Sequence, residues 1–210
     1  MTNDNTSLTQ ITADALQRLT AKQAAREEAL RLSREVIRNA SVAIRAAHRN
    51  EMEQAKAMVK STRKLVKTSR ELLSSHPDLY FMGFTQDAQK EYVEAEAVCA
   101  FITDMPLPGP DSLGVEVAPY LNGLAEAASE LRRYILDLLR RDEDARCEEL
   151  MAKMDEVYSM MLVMDFPDGV TGGLRRTTDA LRAVLERTRG DLTLLLRQRR
   201  LERRLAEQEK

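Results

Sequence analysis

Apolar residues recur at three- and four-residue spacing along most of the chain, the period of an amphipathic helix. No stretch alternates as a strand would, and no repeat of solenoid length recurs. The first stripe, Leu30, Ser33, Ile37, Ala40, Ser41, Ile44 and His48, predicts a long helix over about residues 11–50. A second helix is predicted over about 52–75, striped by Met52, Ala55, Val59, Thr62, Leu65 and Val66, and ended by Pro77 and Gly83. A third covers about 86–103, with Ala88, Ala95, Val98, Cys99 and Ile102 on one side. Pro106, Pro108, Gly109 and Pro110 mark a loop, and a fourth helix follows over about 117–140. A fifth spans about 143–164, and Pro167, Gly169, Gly172 and Gly173 break the pattern again. The last helix runs from about 174 to the end, with an interruption expected at Gly190. The pattern predicts an all-α fold and one domain over 1–210, with the polar residues 1–12 disordered.

Composition narrows the function. Of 210 residues 31% are charged and only 4% aromatic, with no Trp, so broad stacking platforms for single-stranded bases are not expected. The net charge of −2 gives no global attraction to nucleic acid, so any RNA site must be a local basic patch. Cys99 and Cys147 read as buried thiols rather than a disulfide framework. No apolar run approaches the roughly 18 residues of a membrane span, and the polar start has no secretory core. A cytoplasmic protein with no membrane partner is expected.

The third helix carries the main anomaly. On a wheel of 100° per residue Glu91 falls on the apolar stripe and Glu94 on its edge, while Lys90 points away. Two carboxylates one turn apart on a core-facing side need a cation, an ion pair or a proton. Either an Arg from another helix or a hard divalent ion, which takes oxygen ligands, would serve. On the fourth helix Glu126 and Glu130 share a face opposite the main stripe, with Arg133 and Asp137, and the pattern reads as a solvated charged face. Glu-x-x-His pairs, zinc ligand sets and a phosphate-binding glycine loop are missing. Arg31, Arg38, Arg45 and Arg49 form a basic strip beside the apolar stripe of the first helix, able to hold phosphates or to be balanced by Glu27, Glu28 and Glu35. His48, on that stripe, reads as a core histidine. The arginines at 197, 199, 200, 203 and 204 read as a solvated terminal helix.

Four segments, in order, resemble the translin family. REEALRLSREVIRNASVAIRAAHRNE, from Arg26, resembles the first long helix of translin and translin-associated factor X. KEYVEAEAVCAFI, from Lys90, resembles the third-helix motif of the factor X branch. LNGLAEAASELRRYI, from Leu121, resembles the family's signature helix, and GLRRTTDALRAVLERTRGDL, from Gly173, its closing helix. The resemblance implies a translin-like bundle of about seven helices that assembles into a hollow homo-octamer. It implies binding of RNA or single-stranded DNA. On the factor X branch it implies Mg²⁺-dependent endoribonuclease activity, with Mn²⁺ as a substitute. Carried over by motif, the catalytic acids are Glu91, Glu94, Glu126 and Glu130, the first three as metal ligands; the active branch usually has Asp where this chain has Glu126. Arg38, Arg45 and Arg49 are the expected nucleic-acid contacts. The alternative is a non-catalytic, translin-like shell that binds single-stranded nucleic acid; a third reading is an assembly scaffold.

Overall fold

The computed structural model describes residues 7–208. Nine helices follow in chain order: α1 (Leu8–His48), α2 (Met52–Leu72), α3 (Pro77–Tyr80), α4 (Gly83–Thr103), α5 (Pro110–Leu113), α6 (Val117–Leu139), α7 (Asp144–Leu162), α8 (Asp168–Thr171) and α9 (Leu174–Gln208). Three are single turns, which leaves six long helices, and no strand occurs among the described residues. This is the expected all-α bundle.

The Pro- and Gly-rich breaks became turns, as their φ restrictions require. Pro77 and Pro110 open α3 and α5, while Gly114 and Gly172 close α5 and α8 in the left-handed region. At the other end of the chain, Ser7 caps α1 by accepting from the Gln10 amide at 3.2 Å. Leu8–Thr12 are therefore helical rather than disordered; residues 1–6 lie outside the described residues. The expected interruption at Gly190 is also absent. A mid-helix Gly costs only about 1 kcal/mol, and buried Leu185 and Leu192 hold α9 down on either side. Arg132 of α6 adds hydrogen bonds to Asp191 (2.8 Å) and Thr188 (3.3 Å).

α4 packs between the α1–α2 pair and α6, and α6 in turn packs on α7 and α9. This central place explains why a one-stripe reading of α4 fails. Tyr92–Ala95 and Ala97–Ile102 are all buried, so the helix has little solvent face in its second half. Arg146 of α7 donates to the Phe101 and Ile102 carbonyls (2.7 and 3.0 Å), satisfying the end of α4. Arg199 departs from the solvated-tail expectation: it pairs with Asp142 at 2.6 Å and with Asp144, tying α9 to the α6–α7 turn. Cys99 and Cys147 are buried free thiols, as expected. No helix among the described residues is long and apolar enough to cross a membrane.

Candidate metal centre and its cleft

The site starts from an unusually close helix contact. Gly123 of α6 faces the α4 backbone, where an added Cβ would lie 2.5 Å from the Lys90 carbonyl oxygen and 2.9 Å from Val93 Cβ. With no side chain there, α6 settles onto α4 and presents its next turn, Glu126, to the acids of α4. Oxygens of Glu91, Glu94 and Glu126 all lie within 4.8 Å of one another. Glu94 is 8% exposed and has no hydrogen bond or ion pair among the described residues. Its carboxyl is pushed up to about 8, first by burial and then by the charges of Glu91, Glu126 and Glu130, against the pull of Lys90. Burial also raises Glu91, with Lys90 opposing and Glu126 adding.

Lys90 corrects the wheel. Its Nζ donates to Glu126 at 2.9 Å and stands 3.7 Å from Glu91. Neighbouring residues on a helix do not face each other, but a four-carbon stem can bend, and Glu126 draws the ammonium into the α4–α6 groove. Burial is the largest single influence and works against the Lys90 charge. The hydrogen bond to Glu126, together with the charges of Glu126, Glu91 and Asp87, outweighs it, so its pKa lies above the usual value. The expected order of burial is also reversed. Glu94 is the buried acid, whereas the Glu91 side chain is 26% exposed, because α6 covers the edge of the stripe rather than its centre.

Glu126 and Glu130 do not form a solvated face. Both line a cleft of about 1020 Å³, together with Glu94, Asp87 and Lys90. His48, the last residue of α1, is buried as expected, and its Nε2 lies 2.9 Å from Glu130 Oε2. That hydrogen bond holds the Glu130 carboxyl below the usual range despite burial. The α8–α9 turn also lines the cleft, with Gly172, Gly173, Arg176 and Thr177. Gly172 and Gly173 adopt φ of 62° and 85°, where a side chain would be strained. Buried Asn122 pins this turn: it donates to the Thr171 carbonyl (2.7 Å) and accepts from Thr177 (2.7 Å). Arg176 is exposed and has no ion-pair partner among the described residues. A group of acids and a guanidinium with no ion-pair partner among the described residues thus line one cleft, an arrangement able to hold a divalent cation and a phosphate.

No family model matches the chain. An uncharacterized protein of Methanocaldococcus jannaschii is 30% identical over 189 residues, covering 89% of this chain and 83% of that protein. The structure of the archaeal AfC3PO with duplex RNA superposes with a TM-score of 0.84 at 31% identity, over 90% of this chain and 97% of the other. C3PO is built from translin and translin-associated factor X. The chain belongs to the translin family. A second AfC3PO structure gives a TM-score of 0.83 at the same identity, and apo-NeC3PO, at 21% identity and a TM-score of 0.78, shares the fold.

Within this translin-family bundle, the four expected acids line or adjoin one cleft, whereas the arginines of the basic strip do not line it and are exposed on α1. Arg31 is tied to Glu28 (2.7 Å) and Glu35 (3.0 Å), and Arg49 to Glu51 (2.7 Å). Arg38 and Arg45 have no ion-pair partner among the described residues. Pattern reading missed Lys90 as a partner, His48 as the group behind Glu130, and Arg176. Of these, only Arg176 had a local signal, a cation just after a glycine break.

Proposed function

We propose that the protein is a metal-dependent endoribonuclease that cuts RNA phosphodiesters at the α4–α6 acids. The observation that carries this reading is Glu94, a carboxyl more than nine-tenths buried, unpartnered, and aimed into a cleft beside two further carboxylates. Three carboxylates at such separations suit a hard divalent ion, Mg²⁺ or Mn²⁺. Glu91, Glu94 and Glu126 would hold it, and Glu126, one methylene longer than Asp, reaches this group across the gap that Gly123 leaves.

When bound there, such an ion supplies Lewis-acid polarisation of a phosphoryl oxygen and lowers the pKa of a water. The chain's own residues do the rest. Glu130, kept ionised by His48, borders the same cleft and can accept a hydrogen bond from an attacking water. Arg176 lines the same cleft and can anchor a neighbouring phosphate of the strand. Arg38, Arg45 and Arg49 on α1 extend phosphate contacts beyond the cleft, and the duplex RNA bound by AfC3PO supports RNA as the substrate class. Exposed Leu8, Ile11, Leu16 and Leu19, on the part of α1 that projects beyond the core, fit self-association into a homo-octameric shell, acting in the cytoplasm.

The second reading is a non-catalytic shell binding RNA or single-stranded DNA. Lys90 favours it, because its ammonium already neutralises part of the acidic group. One experiment separates the two: cleavage of a short RNA with Mg²⁺ or with EDTA, for wild type and Glu126→Gln. Cleavage that needs Mg²⁺ and falls at least a hundredfold in the variant, with RNA binding retained, supports the nuclease. RNA binding without cleavage under either condition supports the second reading.

A further inference from the structure

Lys90 is the cation nearest the three carboxylates, and it occupies the ligand side of the site rather than its rim. Its ammonium reaches Glu126 at 2.9 Å and Glu91 at 3.7 Å, two of the three acids that would hold a metal. Glu94 lies outside its ion-pair reach, and Glu91 and Glu126 share one ammonium, so these two carboxylates alone keep an excess of negative charge. Resting on the metal-site reading above, we propose that Lys90 is a built-in counter-cation that a divalent ion must displace from Glu126, so that this one side chain sets how much metal the protein needs.

Three features suit Lys90 to be displaced rather than to lock the site. An ammonium on a flexible four-carbon stem releases a carboxylate more readily than a planar guanidinium that grips both oxygens. The side chain is 24% exposed and lines the cleft, so the released charge can move towards solvent. Asp87, one turn earlier on α4, lines the same cleft and offers the ammonium another anion. An ammonium left in place would face the incoming ion at close range and repel it. In the metal-free protein the same charge relieves repulsion among the acids. Removing it should therefore have opposite effects on the empty and the loaded site, which a purely structural lysine would not.

The test is Mn²⁺ titration by calorimetry without RNA, beside thermal melting in EDTA and in Mn²⁺, on the full chain. Lys90→Gln should bind Mn²⁺ about tenfold more tightly than wild type. It should melt lower in EDTA and gain more from Mn²⁺. Lys90→Arg, which keeps the charge with a firmer grip, should bind Mn²⁺ more weakly than wild type, and it serves alone if Lys90→Gln does not fold. Equal affinities in wild type and variant overturn the role of Lys90 while leaving the metal site standing. Failure of wild type and both variants to bind Mn²⁺ overturns the metal-site reading, and this inference with it.

Discussion

Gly123 stands so close to Lys90 that a Cβ on it would lie 2.5 Å from the Lys90 carbonyl oxygen. That contact sets the distance between α4 and α6, and hence whether Glu126 meets Glu91 and Glu94. A backbone oxygen cannot rotate away as a side chain can. For Gly123→Ala, overpacking of about 1–3 kcal/mol should therefore exceed the roughly 1 kcal/mol of helix propensity that Ala gains. The variant should unfold at lower denaturant and bind Mn²⁺ more weakly, and Gly123→Val should be worse on both counts. A stabilised Gly123→Ala would mean that the helices can part without cost.

Glu94 makes stability depend on pH in a direction opposite to most carboxylates. Its folded value of about 8 lies above the ordinary 4.5, so the folded state holds a proton that the unfolded chain has lost. The stability that this proton contributes is complete below about pH 4.5 and is lost as pH rises through about 8. Glu130, shifted downwards, acts in the other sense below its ordinary value, outside this window. In EDTA the melting temperature should fall between about pH 5 and pH 8. Mg²⁺ should restore it at the alkaline end by neutralising the carboxylates. A flat profile in EDTA would show Glu94 to be ionised in the fold.

The strip on α1 should not behave uniformly. Arg49 is held by Glu51, whereas Arg38 and Arg45 are exposed without an ion-pair partner among the described residues. Arg38→Ala and Arg45→Ala should each weaken RNA binding across sequences and reduce the salt slope by about one unit. Arg49→Ala should do less, because its guanidinium must first leave a carboxylate. Filter binding at several salt concentrations checks this; equal slopes for wild type and the Arg38 and Arg45 variants would return both residues to a solvated face.

Assembly has its own test. A homo-octamer of the 23.8 kDa chain should scatter light as a particle of about 190 kDa. Replacing exposed Leu16 and Leu19 with Glu should lower that mass without lowering helix content, since neither belongs to the monomer's core. A monomer at micromolar wild-type concentration would remove the shell.

The sequence by itself determined the six long helices and the main breaks between them, though not the single turns α3, α5 and α8 or the unbroken run of α9 through Gly190. Apolar spacing is a local signal, and Pro77, Pro110, Gly114 and Gly172 act through their own φ angles. It also placed Glu91 and Glu94 one turn apart on α4, because 3.6-residue geometry needs no partner. Only the tertiary structure decided which acid is buried, since α4 packs on several helices and a wheel assumes one core side. It alone joined residues far apart in the chain: Lys90 to Glu126, His48 to Glu130, and Arg176 to the cleft that those acids line. The physical reason is range. Backbone geometry and hydrophobic period act over a few residues, whereas an ion pair or a buried carboxyl depends on which helix arrives opposite it, and here that is governed by the missing side chain of Gly123.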